Sequence, residues 1–229
     1  MSGAANFRGA APVIESPNVA MLLIDYPSGM FEVNGDVPMP VLRANLTTLA
    51  KVATLAKIPV IVSASAPQGP NGALIPEIRK HAPHLKYVAR HDEMNAWHNP
   101  DLVAAVRATG KWQLIVAGTI GSVCVALPAI AAVDDGYQVF AVMDASGNYS
   151  KMAEAITLAR IEQAGVVPID TIALCAELQK TWNCQDAAQW TELYAASINR
   201  VHRNTEHVSR AALSQDIAGL RATGLELAP

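Results

Sequence analysis

The feature that most constrains this chain is a series of short, strongly apolar runs rich in β-branched residues. They are VAMLLID (19–25), IPVIVSA (58–64), QLIVAG (113–118), YQVFAVMD (137–144) and VVPID (166–170), with KYVA (86–89) as a shorter candidate. A strand with one solvated face alternates apolar and polar residues. These runs do not alternate, which is the pattern of strands buried on both faces of a parallel sheet. The segments between them carry helical spacing instead. VLRANLTTLAKVATLAK (41–57) places apolar residues at 42, 46, 49, 53 and 56, close to the helical period. NPDLVAAVRATG (99–110) opens on an Asn suited to an N-cap, follows it with Pro, and ends on Gly. VCVALPAIAAVDDG (123–136) and SKMAEAITLARIEQAG (150–165) also end on Gly. Pro128 falls near the start of the first of these, where its missing N–H costs least.

Strand and helix in alternation predict an α/β fold with a six-stranded, mainly parallel, doubly wound sheet and right-handed crossovers. At 229 residues and 51% hydrophobic content, the chain suffices for one such core without a second domain. We read residues 1–229 as a single domain with a core over about 15–180. Residues 181–229 form a helical extension. Helices are expected over TIALCAELQKTW (171–182), DAAQWTELYAASINR (186–200) and EHVSRAALSQDIAGLRA (206–222), covering a sheet edge or building a subunit contact.

Composition excludes several functions. A formal net charge of −3 and 5% aromatic residues lack the basic, stacking surface of a nucleic-acid binder. The apolar runs are broken well short of a membrane span, and the N-terminus has no long apolar segment typical of a signal peptide. Three cysteines at irregular spacing (Cys124, Cys175 and Cys184) suggest neither a disulfide framework nor a zinc site, and point to a reducing, cytoplasmic setting. His81, His84, His91 and His98 show no ligand spacing of a known metal motif, so no metal is expected. There is no GxSxG elbow for a serine hydrolase, and GTIGSVCV matches no nucleotide-binding pattern, so no cofactor is expected either.

Open parallel sheets bind ligands at the carboxyl ends of their strands. Asp25 closes the first run, Arg90 follows KYVA, Cys124 follows QLIVAG at the start of a helix, and Asp144 closes a fourth run. Each has an ordinary alternative: core packing for the cysteine, an N-cap for Asp25, a solvated surface charge for Arg90. A helix N-terminus shifts the weight at Cys124, because unpaired N–H groups favour a thiolate and can also hold an oxyanion. Cys175 and Cys184 lack that setting and read as structural. APQGPNGAL (66–74) is a turn-rich loop placed to line a cleft.

Taken together, the Asp in LLID, the base after a middle strand, AG followed six residues later by Cys, and the DASG segment resemble the isochorismatase-like cysteine hydrolases. GPNGALIPEI, YVAR, NAW and ATGKWQLIVAG bring the chain nearest to the YcaC-like branch. The resemblance implies a three-layer Rossmann-like fold and a triad of Cys124 as nucleophile, Asp25 as proton acceptor and Arg90 as the basic member. Most of the superfamily has lysine at this third position, whereas the YcaC-like branch has arginine. A guanidinium stays protonated, so Arg90 would fix Asp25 and lower the thiol pKa rather than shuttle protons. The resemblance further implies a cis peptide at Thr119–Ile120, with the N–H groups of Ile120 and Cys124 as oxyanion hole. It implies a small-molecule substrate with an amide-type C–N bond, and a homo-oligomer for which an octamer is the suggested count. Relatives commonly carry Thr and an acid three and two residues before the cysteine; this chain has Gly121 and Ser122. With Phe31, Asn95 and Trp97, these two are candidates to line the pocket, ordinary loop packing being the alternative for those three. Because of the Gly121-Ser122 change, a second reading stands beside the first: a hydrolase-like scaffold that binds a small molecule or protein without turnover.

Overall fold

A computed structural model describes residues 12–26, 29, 32–65, 72–195 and 197. Its six strands are β1 (Val19–Ile24), β2 (Val60–Ser65), β3 (Lys86–Arg90), β4 (Gln113–Gly118), β5 (Gln138–Val142) and β6 (Val167–Ile169). They lie in the order β3-β2-β1-β4-β5-β6 and every pairing is parallel. The helices are α1 (Met39–Leu55), α2 (Pro76–His81), α3 (Pro100–Arg107), α4 (Ala126–Asp134), α5 (Lys151–Gln163) and α6 (Thr171–Gln179). Residues 187–195 are also helical.

The continuous apolarity of β1 has a simple cause. Val19, Met21 and Leu23 face α1 and α6, meeting Leu42, Leu46, Leu49 and Leu174. Ala20, Leu22 and Ile24 face the other way, toward Leu102 and Val106 of α3 and Ala129 and Val133 of α4. Both faces are covered, giving three layers with the sheet in the middle. Each fully buried Leu, Ile or Val contributes about 1.5–3 kcal/mol.

Helix starts follow local chemistry. Asn99 Oδ1 accepts from Leu102 N at 2.9 Å and Pro100 opens α3. Ser150 Oγ accepts from Ala153 N at 3.1 Å at the head of α5. Gly136 and Gly165, at φ 92° and 86°, close the turns after α4 and α5, where a side chain would be strained.

Several boundaries differ from the sequence reading. The run 137–144 is strand only to Val142, then turns through a short 3₁₀ segment, Met143–Ala145, so Asp144 sits in that turn. The run 166–170 yields the three-residue β6, which contains Pro168 and, among the described residues, pairs only with β5. An edge position is where a strand tolerates a residue that cannot donate. The α2 helix was not anticipated: six residues are too few to show a period. The segment expected to be helical at 206–222 lies outside the described residues. No helix among the described residues is long and apolar enough to cross a membrane.

β1 pairs with β2 on one side and β4 on the other, so the chain winds away from it in both directions. The carboxyl ends of β1 and β4 therefore border the crevice where such sheets take ligands.

Candidate active site

Three strand ends converge here. Asp25 follows β1 and has φ 51°, an uncommon conformation that Asp tolerates better than most residues. Its amide still donates to Ser63 O at 2.9 Å, so the strand ladder continues while the side chain swings toward β2 and β3. Asp25 Oδ1 accepts from Ser65 N at 2.7 Å and Ser65 Oγ at 3.1 Å. Oδ2 accepts from Arg90 Nη2. The N-cap role open to Asp25 in the sequence is thus replaced by a bridge across three strands.

Arg90 is the last residue of β3, in register with Ser65. It is 1% exposed, and the Asp25 side chain 3%. This is a buried ion pair, not a solvated surface charge. Arg90 Nε and Nη1 have no acceptor among the described residues.

Cys124 approaches from β4. The Thr119–Ile120 peptide is cis, as the resemblance implied. A one-turn π-helical segment, Gly121–Val125, then carries the cysteine into α4. Close approach requires Gly118, where an added Cβ would stand 2.6 Å from Ile24 O and 3.3 Å from Cys124 Cβ. The Asp25 carboxylate and the Ile120 N–H are the polar groups that act on the thiol, together with the charge of Arg90. The structure therefore brings Cys124, Asp25 and Arg90 into one buried chain of contacts, with Ser65 as a fourth member that the sequence reading missed.

The expectation of a depressed thiol pKa is not met. Burial raises it most, followed by the charge of Asp25 and the hydrogen bond to it; Ile120 N–H and Arg90 pull the other way but do not win. The helix-start argument fails for a local reason. The Cys124 and Val123 amides both donate to Ile120 O, at 2.6 and 3.0 Å, so they are spent on the π turn. The Cys124 N–H can reach an oxyanion only by sharing it with that carbonyl, whereas the Ile120 N–H points at the sulfur. Burial therefore favours the neutral form of the thiol.

The remaining candidates are placed as follows. Gly121 is buried and donates its N–H to Gly147 O at 2.8 Å; Ser122 N donates to Asn148 Oδ1 at 2.9 Å. Asn95 Oδ1 accepts from Trp97 N at 3.0 Å, capping a short 3₁₀ turn. Trp97 Nε1 donates to Asp135 Oδ2 at 3.0 Å, and its ring meets Tyr137 edge to face. Asp135 follows the far end of α4, whose nine residues span about 14 Å from the Cys124 end. The Trp97 indole is thus held away from the thiol and lines a groove of about 760 Å³ against α3. Asn95 is occupied as a cap for the same turn. Phe31 and most of the 66–74 loop lie outside the described residues. Asp144 is part of a different network, accepting from Thr171 N and Oγ1 at 2.9 and 2.8 Å and from Asn45 Nδ2 at 3.1 Å. Burial pushes its carboxyl up to about 6. Among the described residues no group of three or more His, Cys, Asp or Glu could hold a metal ion.

Comparison with known proteins fits this geometry. Residues 19–173 match the Isochorismatase domain. The chain belongs to the isochorismatase family. Within this hydrolase family it stands in the YcaC branch. It is 37% identical over 169 residues to the probable hydrolase YcaC of Escherichia coli strain K12, covering 74% of this chain and 81% of that protein. The crystal structure of the E. coli YcaC gene product, described as an octameric hydrolase of unknown specificity, superposes with a TM-score of 0.81 at 34% identity, over 87% of this chain and 98% of that one. YcaC from Pseudomonas aeruginosa, solved with hexane-2,5-diol and covalent acrylamide, gives 0.80 at 31% identity over the same shares.

Proposed function

We propose that this isochorismatase-family protein is a cysteine hydrolase that cleaves an amide-type C–N bond of a small molecule through Cys124, Asp25 and Arg90. The observation that carries the reading is a buried thiol under the influence of an Asp25 carboxylate that Arg90 and Ser65 hold in place. A thiol with a raised pKa is a poor nucleophile by itself, so attack requires its proton to leave as the C–S bond forms. Asp25 takes that proton. The carbonyl π electrons move onto oxygen, where the Ile120 N–H, with the Cys124 N–H as a shared second donor, stabilises the oxyanion. Collapse of the tetrahedral intermediate breaks the C–N bond, and Asp25 returns the proton to the leaving nitrogen. The product is a thioester on Cys124. Water then attacks it, giving a proton to Asp25, and the thiolate leaves and is reprotonated from the same carboxyl. Arg90 carries no proton in this scheme; its fixed guanidinium holds the Asp25 carboxylate in place. The covalent acrylamide in the Pseudomonas relative supports a reactive group in this branch.

Hydrolysis by a panel of small amides, ureides and imides tests the reading. Wild type turns over a member of the panel, while Cys124→Ala and Cys124→Ser do not; full activity in Cys124→Ala defeats it. Assembly follows the E. coli relative: we expect a homo-oligomer, favoured by the exposed Tyr149, Met152 and Ile156 around the start of α5. Light scattering after gel filtration checks this, a monomer mass being the contrary result.

A further inference from the structure

Asn148 follows the DASG segment that helped mark the family, yet nothing above gives it a role. It is fully buried, and three chain segments meet on it. Its backbone N–H donates to both oxygens of Asp36 at 2.8 Å, and its carbonyl accepts from Gly35 N at 2.8 Å and Asp36 N at 3.3 Å. Both main-chain groups are thereby pinned to the 34–37 loop. The side chain points the other way, to the nucleophile loop, where Oδ1 accepts from Ser122 N at 2.9 Å. Nδ2 is buried and finds no acceptor among the described residues.

The second observation is Gly121. A Cβ added there would lie 2.9 Å from Asn148 Nδ2 and 3.0 Å from Oδ1. The Asn148 amide fills the volume that any other residue at 121 would claim. Next door, Gly147 and Gly35 are equally tight: an added Cβ would stand 2.1 Å from Asn34 Oδ1 and 2.4 Å from Tyr149 O. The backbone on both sides of Asn148 is thus closely packed. Gly121 opens the turn that carries Cys124, and Gly121 N is itself held by Gly147 O.

We infer that Asn148 is a positioning residue for Cys124, acting through Ser122 and Gly121 as one half of an interlocked pair with the glycine. The clamp fixes the π turn so that the thiol meets Asp25 and the Ile120 N–H together. A buried donor left without a partner is destabilising by itself.

The inference rests on the cysteine-hydrolase reading for its purpose, and the test separates the two. Acrylamide is the probe, and mass spectrometry follows its adduct on Cys124, with Cys184 as internal reference. Asn148→Ala and Gly121→Ala slow the Cys124 adduct roughly tenfold or more at pH 7.5 and leave the Cys184 rate close to wild type, each variant being assayed well below its own thermal midpoint. Asn148→Ala placed in the Gly121→Ala background slows the rate little further than either change alone, because the pair acts as one unit. Iodoacetamide labelling from pH 7 to 10 gives a second readout, in which the Cys124 titration curve moves in both single variants. Unchanged rates and curves in the folded single variants, or double-variant effects that simply add, overturn the clamp. An Asp25→Asn control that reacts like wild type sinks the hydrolase reading instead, and the clamp then stands or falls on the titration curve.

Discussion

Arg90→Met isolates the electrostatic support of the site. The substitution keeps most of the aliphatic volume but removes the cation from a carboxylate that is 3% exposed. Asp25 would retain the hydrogen bonds from Ser65 N and Ser65 Oγ. Breaking a buried pair by deleting one partner costs about 3–5 kcal/mol, because the surviving charge stays desolvated. For a chain of this size each kcal/mol moves the midpoint by about 2–4 °C, so the expected fall is about 6–20 °C. Urea unfolding measures the loss directly, with an unchanged slope as the sign that the native state remains compact. Arg107→Ala supplies the contrast. Its pair with Asp135 spans 3.2 Å with side chains 64% and 37% exposed, and such exposed pairs contribute under about 1 kcal/mol. Asp25→Asn combined with Arg90→Met should lose less than the two single losses summed, since neither charge is then stranded. A loss below about 1 kcal/mol for Arg90→Met, indistinguishable from Arg107→Ala, would refute the buried-pair argument.

Two further outcomes follow from neighbouring groups. Asp144, pushed up to about 6 by burial, binds its proton more tightly folded than unfolded. Its contribution to stability is therefore present at pH 4 and below and lost as pH rises through about 6, a change of about 1–3 kcal/mol; Asp144→Asn, which keeps one oxygen for Thr171, flattens that part of the stability–pH curve, and an unaltered slope contradicts the assignment. Gly118→Ala drives a methyl against Ile24 O and Cys124 Cβ; the variant should lose about 1–3 kcal/mol and most of its Cys124 reactivity, whereas wild-type behaviour in both would show that the close approach is not needed.

Much of the fold was legible because parallel strands covered on both sides leave an unmistakable trace. VAMLLID and QLIVAG are apolar at every position since α1 and α6 cover one face and α3 and α4 the other. The positions of Asp25, Arg90 and Cys124 were legible for the related reason that strand ends mark the crevice. What local pattern could not give was the direction of side chains after the strands. Trp97 and Asn95 are close to Arg90 in sequence, but Trp97 turns to Asp135. The thiol pKa was misjudged because helix-start N–H groups were counted as available when Ile120 O takes them. Ser65 and Asn148 were missed because each acts across the fold, the first on Asp25 and the second on the loop before Cys124. The only trace of Asn148 was its place directly after DASG.

The central claim is that Asp25 removes the proton from a thiol that burial keeps neutral. It is tested most directly by the pH dependence of Cys124 acylation by a small amide that wild type turns over, followed by intact mass in wild type and Asp25→Asn. The account predicts a wild-type rate that is already high near pH 7, far below the titration of the isolated thiol. It also predicts an Asp25→Asn rate that is lower by a hundredfold or more, in keeping with the usual worth of general base catalysis, and that climbs with hydroxide. Acylation of Asp25→Asn at the wild-type rate near pH 7 would contradict it.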